Sequence, residues 1–276
     1  MSLPKALLLD GDGVIWIENR PLKGSVESLK KIKSLGVKLV LVTNNSSKTQ
    51  EQYFKYIQSL NLSCFNAEDI FSSGYATAMY LIQNNIKKVF VCGFTGLMEE
   101  LRLHGIEVHT IETDRELVPV EAVVVSKSDT FDFEELARGI DLVRMYGARL
   151  IGTNPDPNFI LSHGVIVPGS GACARTFEEA TGVKATLIGK PEKTMFQTVL
   201  NQLGLTKDEV IMVGDRIITD ISFASHNGAR SILVLTGFDS QKDADEAPEN
   251  EKPTYVLNSL VEVAELLQKM YDDQKK

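Results

Sequence analysis

An apolar run of four residues, Ala6-Leu7-Leu8-Leu9, stops abruptly at Asp10-Gly11-Asp12-Gly13. A run this short, ended by acids and glycine, reads as a strand buried on both faces with a turn at its carboxyl end. Such strands belong to parallel sheets covered by helices, and ligand sites of open α/β sheets lie at these strand ends. The segment therefore constrains both the layering of the fold and the place of any site. Two carboxylates two residues apart can act as nucleophile and proton carrier, or hold a hard cation through oxygen. Asp and Gly are also ordinary turn residues, so this segment alone leaves a solvated turn equally open.

The pattern recurs along the chain. Residues 37–42, 88–92, 122–125, 150–152, 165–167, 210–213 and 231–235 read as further strands. Helices are expected over 25–35, 47–60, 75–83, 96–104, from Asp132 to Gly147, over 192–203, and after Ser259. The last of these turns Val263, Leu266, Leu267 and Met270 inward. Ser47 is expected to cap its helix with Gln50 at the reciprocal position, and Asp132 with Glu135 forms a second capping box. Residues 239–252, rich in Asp, Glu and Lys, read as an exposed loop. Alternating strands and helices predict a parallel sheet with helical crossovers.

The 276 residues suffice for one large domain or two ordinary ones. With 43% hydrophobic and 24% charged residues the composition is that of a soluble globular protein. A net charge of −8 argues against nucleic acid or an anionic membrane as partner. No run approaches the ~20 apolar residues of a membrane span. The N-terminal apolar stretch is too short for a signal peptide. Cys64, Cys92 and Cys173 are odd in number and lack CxxC spacing, so they read as reduced thiols of a cytoplasmic protein. His104, His109, His163 and His226 show no metal-ligand spacing and are assigned to surface or loop roles.

Three more segments end apolar runs in polar residues. Val42-Thr43-Asn44-Asn45-Ser46-Ser47 offers a hydroxyl, amides and a helix start to an anion, although helix capping explains the same residues. In Ile188-Gly189-Lys190-Pro191, Lys190 could neutralise phosphate oxygens, but the spacing is not that of a P-loop. Val213-Gly214-Asp215 carries a second carboxylate, Asp220, five residues on. Carboxylates grouped at strand ends repel one another unless a cation or proton lies between them, and Mg2+ is the obvious candidate.

In this order, acid pair, Thr-Asn, Lys, acid pair, the chain resembles the haloacid dehalogenase (HAD) superfamily of phosphotransferases over essentially its whole length. About thirty residues separate Asp12 from Thr43, and nearly one hundred and fifty separate Thr43 from Lys190. That spacing resembles the branch with an α/β cap between the second and third motifs, which includes NagD-like, 4-nitrophenyl, phosphoglycolate and pyridoxal phosphate phosphatases. Further matches are Gly152-Thr153-Asn154-Pro155-Asp156 and Pro168-Gly169-Ser170-Gly171. The resemblance implies a Rossmann-like parallel-sheet core, residues 1–73 and 187–276, with the α/β cap at 74–186.

The activity implied is Mg2+-dependent hydrolysis of small-molecule phosphate monoesters. Asp10 would be the nucleophile and Asp12 the acid and base. Mg2+ would be held by Asp10, the Asp12 carbonyl and Asp215, with Asp220 reaching it through water or orienting a ligand. Thr43, the Asn44 amide, Asn45 and Lys190 would bind the phosphoryl group. Asn154, Asp156 and Phe159 are the cap residues implied to meet the leaving group. Phe159 stands where some relatives carry a histidine, so that part of the pocket is expected to be apolar. The partners implied are a small phosphorylated metabolite and, as an open option, a second copy docked through the cap.

Gly169-x-Gly171-x-x-Ala174 superficially matches a dinucleotide fingerprint, but counting on about twenty residues lands in a helix start rather than at a strand-end acid. A tight turn near the cap–core hinge is expected for these glycines instead. A non-catalytic phosphometabolite-binding protein, or a phosphotransferase or mutase, remain as alternatives on the same scaffold.

Overall fold

A computed structural model describes residues 2–114, 116–128, 132–160 and 165–276, with the backbone alone at Phe159 and Ile160. The chain divides into two compact units. The first comprises Met1–Thr43, Glu51–Phe71 and Phe196–Lys276, and the second Asn44–Gln50 and Ser72–Met195. The fold is α/β with parallel sheets, as the alternation of elements requires.

Six strands make the sheet of the first unit, in the order Tyr255–Leu257, Arg230–Val234, Val210–Gly214, Ala6–Leu9, Lys38–Thr43, Ile70–Ser72. Ala6–Leu9 is parallel to both its neighbours, with Leu9 opposite Val213 and Leu41. All four of its residues are buried, as an apolar run without alternation demands. Leu7, Leu9, Leu39, Leu41, Ile211 and Val213 join one core cluster with Leu29, Ile32, Val263 and Leu267. The last four come from the helices Ser25–Ser34 and Leu260–Gln274. Each such side chain contributes roughly 1.5–3 kcal/mol through burial. Because the three central strands are parallel and in register, their carboxyl ends emerge along one edge of the sheet, and Asp10 and Asp215 stand there.

The second unit holds five parallel strands in the order Thr186–Leu187, Arg149–Gly152, Ala122–Val125, Lys88–Cys92, Glu107–His109. Its core packs Phe90, Val123, Val125 and Leu150 against Leu142 and Phe177. Those two residues lie on the helices Phe133–Tyr146 and Ser170–Thr181. A two-stranded antiparallel ribbon, Asn158–Ile160 with Ile166–Pro168, completes it. Among the described residues no helix is long and apolar enough to cross a membrane.

Four local expectations change. The helix after Thr43 begins at Gln50 rather than at Ser47. Its Gln50 N–H is met by the buried Glu100 carboxylate at 2.9 Å, so the terminus is satisfied from fifty residues away instead of by a local serine. Asp132 accepts from the Glu135 N–H as expected, whereas Glu135 turns inward and is buried. Residues 239–252 are not all loop. Ser240 caps a short helix, Gln241–Glu246, through a reciprocal bond with Asp243. Finally, Gly169 and Gly171 stand at the start of the helix Ser170–Thr181. A Cβ at either would run into the carbonyls of Pro155 and Asp156, and the Gly171 N–H bonds to the Asp156 oxygen at 2.9 Å. These glycines serve a close backbone approach rather than a tight turn.

Candidate active site

Asp10 leaves the central strand with its N–H bonded to the Val213 carbonyl at 3.0 Å, which holds it level with the end of the neighbouring strand. Asp215 follows Gly214 at that end, and Asp220 lies on a single π-type turn, Ile217–Ile221. Such turns are frequent at functional sites because they re-aim one side chain. Carboxylate oxygens of Asp10, Asp215 and Asp220 lie within 4.8 Å of one another. Asp215 and Asp220 are buried and Asp10 is half-buried.

The acids are held by main-chain donors. Asp215 accepts from the Phe238 N–H at 2.8 Å. One oxygen of Asp220 accepts from the N–H groups of Asp215 and Arg216 at 3.2 and 3.1 Å. Gly13 has φ 77°, and a Cβ there or at Gly237 would collide with the Asp215 carboxylate. The glycines therefore leave the space in which that carboxylate is aimed. A set of oxygen donors alone, with negative charge crowded into a buried corner, fits a hard divalent cation such as Mg2+.

Asp12 is exposed, and its Oδ1 accepts from the indole N–H of Trp16 at 3.1 Å. Trp16 is itself buried and stands edge-on to Tyr56, with ring centroids 5.5 Å apart. Burial, with the charge of Asp12 behind it, pushes the Tyr56 hydroxyl up to about 12. The same two causes raise Tyr53, which shares a hydrogen bond with Thr43. Both phenols therefore remain protonated donors.

A separate polar cluster lies in the second unit. The Asn44 side-chain amide donates to both Asp156 oxygens at 3.2 Å and to the Lys190 carbonyl at 2.9 Å. The Asn44 carbonyl accepts from Asn154 Nδ2 at 2.8 Å and from Ser73 Oγ at 2.5 Å. Asn45 makes a local turn, its Oδ1 accepting from the Ser47 N–H at 3.0 Å. Lys190 is only 2% exposed, which sets it apart from the ordinary solvated lysine.

A family model described as haloacid dehalogenase-like hydrolase matches residues 7–107, and a second, of HAD-like hydrolases, matches 187–263. The sequence is 32% identical to phosphoglycolate phosphatase 2 of Arabidopsis thaliana over 281 residues, 95% of this chain and 92% of that one. The chain belongs to the haloacid dehalogenase-like hydrolases. Among solved structures, p-nitrophenyl phosphatase from Archaeoglobus fulgidus superposes with TM-score 0.86 at 33% identity, covering 95% of this chain and 99% of that one. A glycerol phosphate phosphatase from Mycobacterium tuberculosis, in complex with magnesium, gives 0.84 at 28% identity, covering 96% and 78%.

Of the residues singled out in the sequence of this hydrolase, Asp10, Asp215 and Asp220 converge, with Asp12 two residues from the first. Asn44, Asn154, Asp156 and the Lys190 main chain form the other group. The side chain of Phe159 lies outside the described residues, as does His163. His104, His109 and His226 each meet a carboxylate, Glu100 at 3.0 Å, Asp114 at 2.9 Å and Glu251 at 3.4 Å. Sequence reasoning missed Trp16, Tyr53 and Glu100. Trp16 is the single tryptophan, placed four residues after an acid, and that spacing has no meaning in a loop. The other two reach their partners only through the tertiary fold.

Proposed function

We propose that this chain is a Mg2+-dependent phosphatase that hydrolyses small-molecule phosphate monoesters through a phosphoaspartate on Asp10. The observation that carries the reading is the convergence of Asp10, Asp215 and Asp220 at the carboxyl edge of a parallel sheet in a HAD-like hydrolase. Residues 1–73 and 187–276 are the catalytic core and 74–186 the cap.

Asp10, the Asp12 carbonyl and Asp215 would hold the cation, with Asp220 reaching it through water or orienting Asp215, from whose N–H it accepts. Bound Mg2+ offsets the negative charge of the phosphoryl oxygens and of the carboxylates. An Asp10 oxygen attacks phosphorus in line, so an O–P bond forms as the bond to the leaving alcohol breaks. Asp12 gives its proton to the departing oxygen. It then takes a proton from the water that attacks the phosphoaspartate, which restores Asp10 and releases inorganic phosphate. The Trp16 indole N–H donates to Asp12 Oδ1 and so orients the carboxyl group that carries that proton. Thr43, Asn45, Lys190 and the main-chain N–H of Asn44 bind the phosphoryl oxygens as charge develops on them. Asn154, Asp156 and Phe159 belong to the cap side of the substrate site.

The substrate is a small phosphorylated metabolite, in the range spanned by the phosphoglycolate, glycerol-3-phosphate and p-nitrophenyl phosphatases among the relatives. A cytoplasmic location is supported by three buried cysteines that form no disulfide. The test is release of inorganic phosphate from a panel of phosphate monoesters, ranked by kcat/KM, with Mg2+ and with EDTA. Asp10→Asn should lower kcat by several powers of ten while the fold survives. Activity within about tenfold of the parent, or full activity in EDTA, would refute the phosphoaspartate mechanism or the metal role.

A further inference from the structure

The cluster around Asn44 closes into a ring. Asn154 Oδ1 accepts from the Asp156 N–H at 3.1 Å. Asp156 accepts through both oxygens from Asn44 Nδ2, and the Asn44 carbonyl accepts from Asn154 Nδ2. Three residues from two stretches of chain more than one hundred positions apart thus fix one another in a cycle. Two outside groups complete it. Ser73 Oγ supplies a second donor to the Asn44 carbonyl, and Asn44 Nδ2 makes its other bond to the Lys190 carbonyl.

Counting donors decides what these residues can do. A side-chain amide has two N–H groups and a carbonyl has two lone pairs. Both N–H groups of Asn44 and both lone pairs of its peptide carbonyl are engaged. Asn154 Nδ2 is engaged as well, by the Asn44 carbonyl and by Ser170 Oγ at 3.1 Å. Asn44 and Asn154 are 9% and 3% exposed. Little of the hydrogen-bonding capacity of Asn44 and Asn154 remains for a leaving group. What it does accomplish is to lock the peptide that follows Thr43 and, through the same amide, the backbone of Lys190. Gly189 keeps room for this, since a Cβ there would press on Asn44 Oδ1. The bond to Asp156 is charge-assisted and is therefore the strong member of the ring.

We propose that Asp156 and Asn154 are positioning residues of the phosphate-binding turn. They act through Asn44 on the binding of the phosphoryl group common to all substrates and do not read the leaving group. This rests on the reading of Thr43–Asn44 as the phosphoryl-binding segment. It revises the expectation that cap residues at these positions select among esters.

The test uses the full chain with Mg2+. The readouts are competitive inhibition by inorganic phosphate, which has no leaving group, and kcat and KM for 4-nitrophenyl phosphate, glycerol phosphate and phosphoglycolate. Asp156→Ala should raise the phosphate inhibition constant and every KM by one common factor, about tenfold or more, because a charge-assisted bond is lost. The ranking of the esters should not change. Asp156→Asn keeps one acceptor oxygen and the shape but not the charge, and should recover part of the loss. It also carries the test if the alanine variant does not fold. Asn44→Ala combined with Asp156→Ala should be no worse than the poorer single variant, as members of one ring require. A reordered ranking with an unmoved phosphate constant would show that Asp156 reads the leaving group, and unmoved constants throughout would equally overturn the proposal. Thr43→Ala separates the phosphoryl-binding role of the segment from the positioning role of the ring. If it leaves phosphate inhibition untouched, the reading of the segment fails; if it weakens inhibition while Asp156→Ala does not, only the ring proposal fails.

Discussion

Glu135 offers a perturbation whose size can be worked out from its surroundings. Its side chain is buried, 7% exposed, beneath the first turn of its helix. Burial, then the negative charge of Asp132, push its carboxyl up from 4.5 to about 7, against a backbone hydrogen bond from Gly93 that favours the ionised form. The folded chain therefore keeps this proton over a range in which the unfolded chain has released it. Between about pH 4.5 and 7 the folded state binds more protons, so stability falls as pH rises. At about 1.4 kcal/mol per pH unit, the full loss by pH 8 is roughly 3 kcal/mol. Below pH 4.5 the contribution is fully present.

Glu135→Gln removes the titration while keeping an acceptor for Gly93. Its amide N–H groups need partners where the acid had one hydroxyl, which offsets the gain by about 1 kcal/mol. The variant should therefore exceed the parent by roughly 2 kcal/mol at pH 8, a rise of about 4–8 °C in Tm for a chain of this size. At pH 5 the difference should vanish or change sign. Calorimetric unfolding of both proteins at the two pH values reads this directly, because every other titrating group is common to both. A difference that stays constant from pH 5 to 8, or a variant less stable at pH 8, would refute the account of a buried acid kept neutral.

Trp16→Phe keeps the apolar bulk beside Tyr56 but deletes the N–H that holds Asp12 Oδ1. Turnover of alkyl phosphates, whose alkoxide must be protonated, should drop about tenfold. Turnover of 4-nitrophenyl phosphate should drop less, since a nitrophenolate leaves without a proton; equal losses would show that Trp16 acts only structurally. Gly13→Ala forces a side chain onto a left-handed φ of 77° and into Asp215, so titration with Mg2+ should show at least about tenfold weaker binding. An unchanged Mg2+ titration would mean that the Asp215 carboxylate has room to move aside.

The elements that could be read from the sequence are those whose own residues carry the signal. Ala6–Leu9, Lys88–Cys92, Ala122–Val125 and Val210–Gly214 are short apolar runs because central parallel strands are buried on both faces. Ile70–Ser72, Glu107–His109 and Tyr255–Leu257 escaped notice. Each is a three-residue strand at the edge of a sheet, and two of them mix polar residues into the run. The helix Gln241–Glu246 was hidden for the opposite reason. Only Ala244 of its six residues is buried, so it has no apolar stripe and announces itself only through Ser240 and Asp243. In the site, Asp10 and Asp215 could be found because each ends an apolar run. Trp16, Tyr53 and Glu100 act across loops and between elements, where spacing carries no information until the chain is folded.

Two ways of burying a carboxylate coexist in this chain, and they separate a structural acid from a functional one. Glu135 meets negative neighbours in Asp132 and Glu112, and burial is tolerated because the group holds its proton. Asp215 and Asp220 are also buried, yet they crowd together with Asp10 and are supplied with main-chain N–H donors from Phe238, Asp215 and Arg216. An ionised carboxylate only accepts hydrogen bonds, so donors aimed at it satisfy the charge without cancelling it. Three carboxylates within 4.8 Å of one another repel unless a cation or a proton lies between them. A local rule broken three times at one sheet edge, with glycines at 13 and 237 leaving space for it, supports the metal site proposed for these acids. On that ground the acidic centre, more than any single motif, carries the assignment of metal-dependent phosphoryl transfer.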